Sequence, residues 1–501
     1  MIINRRVLFQ MGLAAALPMA LLEKVLAQTG GTPRIRQNIE EFAKSPEKVA
    51  ALRAGVARMK QRSVAKKDDP EGWYYWASVH GTTEAVPANL GSLYNSCHHG
   101  TLQFVSWHRA FLYFFEQVLK SSAKEAGNQT AFELPYWNWN ASPKINAVFT
   151  EGDASTNPLW HPRARTDLSN VNISRAWSKA SAKAFNAFSS SLEGNPHGTV
   201  HGAVGGEMGF VNSSARDPIF WLHHANIDRL WDVWVRLADG RQNPSATRTW
   251  AKQKHSFDTT ASKVMATADL LDSRNQLGYI YDDYEIEPIT TSVVVASEPI
   301  VIAGGQVASP GESGHAMVPD GVEKSDGNKG LKTLSFRRDI ALGGRSVVVD
   351  LPVAPDAGSA LTTFAIEPEK SAIKSAWLVL EDVRIGSDGK LGGFSYDIKL
   401  KKKNAGGSQD VVLGTLNTFT LSALKHSPGM AHTGGGHGTS GDAGTLRLPI
   451  SDALRQLGVT GASGALQALS VEFESSIPES ADKQYLNVGN IRIETSTLPI
   501  E

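Results

Sequence analysis

Cysteine is almost absent from the sequence, which has a single cysteine, Cys97, in 501 residues. One cysteine cannot form an internal disulfide, so no disulfide framework supports the fold. A reducing compartment would explain this scarcity, and an exported protein that folds before export would explain it equally well.

An excess of charge of one sign is also absent, because 50 lysines and arginines balance 50 aspartates and glutamates. This balance indicates neither a nucleic-acid partner nor an acidic membrane surface. The chain is too long for one typical core, and 41% of its residues are hydrophobic. We therefore expect a globular protein with two domains.

The N-terminus has the features of an export signal. Arg5 and Arg6 precede an apolar run over residues 7–22, which is short for a membrane span, and residues 25–27 resemble a cleavage site. We predict a signal peptide of the twin-arginine type over residues 1–27. The mature protein would then be periplasmic or secreted, without a stable membrane anchor. An ordinary secretory signal and an uncleaved amphipathic helix are the alternatives.

Helical patterns dominate residues 28–290, which we predict to form a mainly α-helical bundle domain. The patterns are found at residues 34–63, 107–120, 176–192 and 218–237. Ser45 and Pro46 resemble an N-cap followed by proline at the first helical position.

The composition then changes. Residues 291–333 contain many Gly, Ser, Pro and Asp residues and are predicted to form a linker. In residues 334–501, alternating apolar residues predict a C-terminal β-domain, most simply a sandwich or barrel. Its strands are expected at residues 346–353, 376–385, 393–400, 468–475 and 490–496. The fold class is thus a multidomain α and β protein.

Nine of the 14 histidines lie between residues 80 and 224, in the predicted helical domain. His197 and His201 are four residues apart, so on a helix they project from one face and could share a metal ion. His224 precedes Asp228 by one helical turn, and such an aspartate can accept the imidazole N–H that faces away from a metal. His223 points about 100° away, so we expect it behind the ligands or in the core.

The simplest assembly is two sets of three imidazoles that face each other across the helix bundle. Ligation by imidazoles alone favours copper, zinc or nickel over magnesium, calcium or carboxylate-bound di-iron. A single zinc ion would need only half of this set. Two sets therefore imply two metal ions, and copper is the metal best suited to O₂ chemistry.

Four segments resemble the tyrosinase and catechol oxidase family, also called polyphenol oxidases. HGTLQFVSWHRAFLYFFE at 99–116 resembles the first copper signature of the family, and DPIFWLHHANID at 217–228 resembles the second. LPYWNWN at 134–140 and GYIYDDYE at 278–285 resemble two further segments of the catalytic domain. The β-domain is similar to the C-terminal domain of long, plant-like members.

The resemblance implies an enzyme with two copper ions that uses O₂ to oxidise o-diphenols, small phenolic substrates, to o-quinones. It also implies that the same site could hydroxylate monophenols at the ortho position. The implied ligands of the first copper are His80, His99 and His108, and those of the second are His197, His201 and His224.

The resemblance also gives Cys97 a role. Fungal members join the cysteine of a Cys-x-His element to a copper ligand through a thioether, and Cys97 and His99 match that element. We therefore predict a thioether bond between Cys97 and His99. The alternative is an unmodified, buried thiol that packs as a small hydrophobe.

Three more residues affect the expected substrate preference through the same resemblance. Glu193 matches a catalytic glutamate that orients a water for phenol deprotonation. Gly198 stands where many strong monophenolases have asparagine, which argues against hydroxylation. Val211 stands where some members have a bulky aromatic gate, so its small side chain favours an open pocket. Ordinary structural roles are the alternative for all three residues.

Other functions fit the same ligands. They are a diphenol-only catechol oxidase, an o-aminophenol oxidase and, outside enzymes, an oxygen carrier of the haemocyanin type. In plant-like relatives the β-domain lies over the copper pocket and keeps the enzyme latent. The resemblance therefore implies that residues 334–501 cover the active site here.

Overall fold

The described part of the chain, in this computed structural model, comprises residues 32–173, 183–237, 240–245, 248–285, 300–302, 331–353, 355–404, 407–426, 444–457, 468–477 and 483–498. The predicted signal peptide at 1–27 lies outside the described residues. Most of the predicted linker at 291–333 and the first part of the helix expected at 176–192 also lie outside them.

The N-terminal half is mainly helical, as predicted. Its α-helices are α1 (Ile39–Phe42), α2 (Pro46–Ala65), α3 (Trp73–His80), α4 (Phe104–Glu125), α5 (Phe185–Leu192), α6 (Thr199–Val204), α7 (Ile219–Arg236) and α8 (Thr249–Lys252). A π-helical segment, Glu193–Gly198, joins α5 to α6. Its short strands are β1 (Arg34–Arg36), β2 (Lys254–Ser256), β3 (Val264–Ala266) and β4 (Tyr279–Tyr281).

The pattern at residues 34–63 contains β1, α1 and most of α2 rather than one helix. The predicted start of α2 is confirmed. The Ser45 side chain accepts a hydrogen bond from the backbone N–H of Lys48, and Pro46 is the first helical residue. Both features satisfy or remove backbone donors that a helix N-terminus leaves free.

Helices α3, α4 and α7 pack through aromatic side chains. Trp221 of α7 stacks on Phe115 of α4 with ring centroids 3.4 Å apart, and Trp76 of α3 packs on Phe111 of α4 at 5.6 Å. All four rings are buried. Because such rings have large apolar areas and few rotamers, they fix the three helices that carry His80, His108 and His224.

A buried ion-pair network ties β1 to α4 and α7. Arg36 donates to the Glu116 carboxylate at 2.9 Å and to the Asp228 carboxylate at 3.3 Å. Arg109 donates to the other oxygen of Asp228. Removing one partner from such a network leaves a buried charge uncompensated and typically costs about 3–5 kcal/mol.

The C-terminal half contains two sheets, with strand orders β10-β9-β12-β7-β5 and β11-β8-β13-β6. Its strands are β5 (Ile300–Ile302), β6 (Leu331–Leu342), β7 (Val347–Pro352), β8 (Ser375–Ile385), β9 (Tyr396–Asn404), β10 (Gly407–Leu416), β11 (Gly444–Pro449), β12 (Ala468–Ser475) and β13 (Leu486–Ser496). Among the described residues, three α-helices accompany them, α9 (Pro355–Ile366), α10 (Thr418–His426) and α11 (Ser451–Gln456).

All five strands expected from the alternating pattern are present, as β7, β8, β9, β12 and β13. Strand β6 starts at Leu331, inside the predicted linker. Side chains of both sheets, such as Leu378 and Ile398, belong to one hydrophobic cluster. No closed barrel forms among the described strands. The expected sandwich or barrel is therefore found only in a coarser form, as two open sheets that share one core.

The two halves are in direct contact beside α6. The backbone N–H of Gly206 donates to Leu391 at 2.8 Å, and that of Gly393 donates to Gly202 at 2.7 Å. A Cβ atom at Gly202 would lie 2.8 Å from the Asn417 side chain. Glycine at this position therefore permits the close approach of the β-domain to a histidine-bearing helix.

Of the helices in the described segments, none combines the length and the apolar character that crossing a membrane requires.

Candidate metal centre

The first triad consists of His80, His99 and His108. His80 is the last residue of α3, His99 lies in the following loop, and His108 is in the second turn of α4. One ring nitrogen of each residue lies within 4.8 Å of the others. The Nε2 atoms of His80 and His99 are 3.3 Å apart. The first predicted ligand set therefore converges.

The second triad consists of His197, His201 and His224. His197 lies in the π-helical segment, His201 in α6 and His224 in α7. Their ring nitrogens also lie within 4.8 Å of one another, and the Nε2 atoms of His201 and His224 are 3.2 Å apart. The second predicted set converges as well.

The two triads are adjacent. The rings of His108 and His224 stack with centroids 4.3 Å apart and planes inclined by 16°. The rings of His99 and His197 are 5.7 Å apart and inclined by 26°. One ring from each triad thus faces a ring from the other, and the arrangement can hold two metal ions side by side.

Backbone carbonyls fix the orientation of four of these rings. The Nδ1 atoms of His80, His108, His197 and His201 lie 2.7–3.0 Å from the carbonyl oxygens of Val211, Phe104, Glu193 and Met208, respectively. A carbonyl only accepts, so each Nδ1 carries the proton and each Nε2 keeps its lone pair. The Nε2 atoms of His108 and His197 are buried and have no hydrogen-bond partner among the described residues. Such lone pairs fit metal ligation.

Burial keeps most of these rings uncharged. It lowers the pKa of His108, His197, His201 and His224 well below the ordinary value, and neighbouring histidines lower it further. Burial also lowers the pKa of His99, but the Cys97 and Glu193 side chains outweigh it and raise that pKa to about 10. His99 is thus the ring that its surroundings prepare for positive charge.

Glu193 connects the two triads. Its Oε1 atom accepts hydrogen bonds from His99 Nδ1 at 3.2 Å and from the Gly100 backbone at 2.6 Å, while its backbone carbonyl accepts from His197. The side chain therefore orients a ring of the first triad, and the main chain orients a ring of the second. Its expected role in orienting a water stays a prediction.

His223 lies against the second triad but has a different hydrogen-bond pattern. Trp139 Nε1 donates to His223 Nδ1 at 3.1 Å, so the ring proton of neutral His223 is on Nε2. Because Nδ1 accepts a hydrogen bond and Nε2 carries the proton, neither ring nitrogen has a lone pair available for a metal ion. Its ring nitrogen lies within 4.8 Å of those of the second triad, so its expected place outside the ligand set stays a prediction, supported by the hydrogen bond from Trp139.

The expected pairing of Asp228 with His224 is wrong. The Asp228 carboxylate instead binds Arg36 and Arg109 and accepts hydrogen bonds from the hydroxyls of Tyr279 and Tyr281, both at 2.5–2.6 Å. Two buried cations compete for the carboxylate far more strongly than a neutral imidazole would.

Cys97 is partly buried and close to His99, whose pKa it raises. The two residues are thus neighbours in space as well as in sequence. The thioether between them stays a prediction.

Phe419 of α10, which no motif indicated, covers the second triad. Its ring stacks on His201 with centroids 4.0 Å apart and lies edge-on to His197 and His99 at 5.2 and 5.3 Å. In the sequence, Phe419 is a single aromatic residue in an ordinary amphipathic segment, more than 190 residues from the nearest predicted ligand. Nothing local distinguishes such a residue from a core phenylalanine.

The open pocket expected from Val211 is also wrong. Val211 is buried and packs with Phe419 and Ala423 of α10. Gly198 has no side chain beside the second triad, and its carbonyl instead accepts a hydrogen bond from Asn417 at 2.8 Å. Both positions are therefore in contact with the β-domain rather than exposed to solvent.

The family model described as the common central domain of tyrosinase matches residues 70–171 and 151–237. Tyrosinase HcTyr1 of Hahella sp. (strain CCB-MM4) is 30% identical over 300 residues, covering 50% of this chain and 63% of the relative. Aureusidin synthase of Antirrhinum majus is 27% identical over 281 residues, covering 45% and 48%.

Hemocyanin G-type, units Oda to Odg, of Enteroctopus dofleini is 25% identical over 305 residues, covering 53% of this chain and 10% of that protein. The matches thus cover less than two thirds of the length of these curated relatives. The matched central domain contains all six histidines of the two triads. By this domain and these matches, residues 70–237 are similar to the common central domain of tyrosinase, and the chain is similar to tyrosinases and related proteins of the polyphenol oxidase type.

Proposed function

We propose that this protein is a copper-dependent phenol oxidase that uses O₂ to oxidise o-diphenols to o-quinones. The observation that carries the proposal is the convergence of six buried imidazoles as two adjacent triads. An array of imidazole rings without carboxylate ligands suits copper. When bound, a pair of copper ions would activate O₂ and accept electrons from the phenol.

The donor set fits two such ions. The first triad would hold one copper ion and the second triad the other, each through Nε2 atoms. The buried Nε2 atoms of His108 and His197, which have no partner in the part of the chain that the structure describes, have a cost in the metal-free protein that a bound cation removes. Aromatic rings such as Phe104 and Phe220, in contact with these histidines, keep water away from the site.

The ring of Phe419 indicates the class of substrate. A phenyl group stacked 4.0 Å from His201 supports a space above the second triad that is the size of a six-membered aromatic ring. A phenol bound there would have its hydroxyl groups beside both triads. Phe419 occupies that space, so substrate binding requires α10 to move away.

We therefore also propose that residues 334–501 cover the active site and keep the enzyme latent. Three hydrogen bonds support this, from Asn417 to Gly198, from Gly206 to Leu391 and from Gly393 to Gly202. Cleavage within residues 303–330 would separate the cover from the copper domain without cutting a described strand or helix.

Diphenol oxidation is the main activity that we propose. Glu193 Oε1 is occupied by His99 and Gly100, and Gly198 offers no side-chain amide to help it hold a water. Both features disfavour the deprotonation that hydroxylation of a monophenol requires. An o-aminophenol would fit the same pocket and is the alternative enzymatic substrate.

The test is oxygen uptake and quinone absorbance with the copper-loaded protein, before and after limited proteolysis in residues 303–330. We expect fast oxidation of catechol after cleavage, slower oxidation before it, and little turnover of L-tyrosine. His224→Ala should abolish the activity, whereas His161→Ala, outside both triads, should keep it. Reversible O₂ binding without catechol oxidation, even after cleavage, would instead favour an oxygen carrier related to the octopus haemocyanin.

Export through the twin-arginine route, directed by residues 1–27, is part of the proposal. Folding and metal loading before export would agree with a chain that has one cysteine. A fusion of residues 1–27 to a reporter that needs this route would be exported, and replacing Arg5 and Arg6 by lysine would stop it.

A further inference from the structure

A second pair of histidines lies next to the first triad without belonging to it. His98, which precedes the ligand His99, and His255 of β2 have ring centroids 5.8 Å apart, with planes inclined by 70°. Within the first triad the ring centroids are 5.3–5.6 Å apart. The pair thus has nearly the spacing of rings that are arranged to share one ion.

Hydrogen bonds fix the tautomer of His255. The Gln103 amide N–H donates to the Trp250 carbonyl at 2.9 Å, so its oxygen accepts from the hydroxyls of Ser106 and Thr267 at 2.7 and 2.9 Å. Each hydroxyl has one proton, which these bonds use. The Thr267 oxygen therefore accepts from His255 Nε2 at 3.0 Å, and the lone pair of His255 is on Nδ1.

This lone pair has no hydrogen-bond partner among the described residues, although the His255 side chain is only 2% exposed. An unsatisfied buried acceptor typically costs about 1–3 kcal/mol. Burial keeps the ring neutral, since it lowers the pKa of His255 to about 3. A cation at Nδ1 would satisfy this nitrogen, and the Nε2–H bond to Thr267 is the support that metal-bound imidazoles usually have.

His98 is the second ring of the pair, and its partial exposure gives a metal ion access from solvent. It is half-buried, in contrast to His255 and to all six ligands of the triads, which are fully buried. Two nitrogens on one ion lie about 2.0–2.1 Å from it and therefore at most ~4 Å from each other. Ring centroids at 5.8 Å are compatible with that distance.

We propose that His98 and His255 form a third metal site, separate from both triads, that binds one copper ion in its reduced form. Two neutral imidazoles suit copper, and Cu(I) accepts two ligands. The choice of copper rests on the proposed function. Because His98 and His99 are consecutive, an ion bound here lies beside the first triad, on the solvent side of a buried ligand.

The experiment is an anaerobic titration of metal-free protein with Cu(I) in competition with a chromophoric chelator. We expect three equivalents for the wild type and two for His98→Ala. His161→Ala is the matched control, because His161 is also a partly exposed histidine outside the triads, and it should bind three. His255→Gln should bind two, and circular dichroism would establish that each variant is folded.

Two equivalents for the wild type would overturn the third site and leave the proposed function intact. A third equivalent that persists in His98→Ala, or that His161→Ala also loses, would overturn the assignment to His98 and His255. One equivalent or none for the wild type would instead contradict the copper pair on which the proposed function depends.

Discussion

The two triads use the same ligand type but are supported differently. The second triad is borne by the π-helical segment, α6 and α7, and backbone carbonyls orient His197 and His201. In the first triad, His99 lies in a loop and is oriented by the Glu193 side chain. The comparison teaches that every ligand of the second triad lies on a helical segment, whereas the first triad has one loop ligand, His99, that depends on a carboxylate from elsewhere in the chain.

The β-domain, residues 334–501, also contacts the two triads to different extents. Phe419 stacks on His201 of the second triad at 4.0 Å but meets the first triad only through the edge contact with His99 at 5.3 Å. Substrate access should therefore be blocked mainly above the second triad. Substitutions of Phe419, Glu193 and His223 can separate the effect of the β-domain on substrate access from the support of each triad.

The largest effect is expected for Phe419→Ala in the uncleaved protein. Removal of the ring opens the space above His201, so catechol oxidation should rise by about 10-fold or more, equivalent to ~1.4 kcal/mol of relieved competition. The free energy of unfolding should fall by about 3–5 kcal/mol, as is typical for a buried phenylalanine.

Phe364→Ala is the matched control for this change, because Phe364 is equally buried but lies in the cluster of the two sheets. It should lose similar stability, measured by denaturant unfolding, without the rise in activity. Equal activation by both variants would mean that a weakened β-domain, rather than the Phe419 ring, controls access.

Glu193→Gln should weaken the first triad and leave the second unchanged. The amide keeps the shape but removes the charge that supports His99, and changes to such supporting groups typically cost about 10–100-fold in metal affinity or activity. Competition titration with Cu(I) should show one weakened site. Glu207→Gln, which alters a glutamate paired with His161 and Arg216 instead, should leave both affinities as in the wild type. Weakening of both sites by Glu193→Gln would contradict the difference between the triads.

The pH dependence of the metal-free protein should reflect the buried rings. Burial lowers the pKa of His223 to about 3, whereas the ordinary value in the unfolded chain is about 6.5. The unfolded state therefore binds the additional proton below pH 6.5, and folding stability falls from there towards pH 3 by up to about 1.4 kcal/mol per pH unit for this group. His223→Leu should have a flatter stability profile between pH 6.5 and 5 in denaturant unfolding. An unchanged slope would contradict a neutral, buried His223.

The smallest expected change is a mass deficit. A thioether between Cys97 and His99 would remove two hydrogen atoms from the mature, copper-loaded protein, as measured by intact-mass spectrometry. Cys97→Ser should show no deficit. A wild-type mass without the deficit would mean that Cys97 keeps its thiol, and that no covalent bond supports the loop of the first triad.

Several strands and the grouping of the histidines could be predicted from the sequence, because each follows from a pattern of residues that are close together in the chain. Alternating residues indicated β7, β8, β9, β12 and β13, and the spacing of His197, His201 and His224 follows helical turns. The remaining features depend on contacts between distant residues. Asp228 pairs with Arg36, 192 residues away, and neither local spacing nor helical geometry indicates such a partner.

Phe419 and the pair of His98 with His255 were missed for the same reason. Each lies in a segment whose own pattern is ordinary, and only the docking of α10 or β2 gives it a role. The six predicted ligands therefore converge as expected, their role as ligands stays a prediction, and the sequence did not indicate the groups that cover and support them.

Anomalous X-ray diffraction at the copper absorption edge, from crystals of the copper-loaded protein, tests the central claim most directly. We expect two strong peaks, one about 2.0–2.1 Å from the Nε2 atoms of the first triad and the other at the same distance from those of the second. A single strong peak, or a peak bound by His223 in place of His197, His201 or His224, would contradict a copper pair held by these six rings.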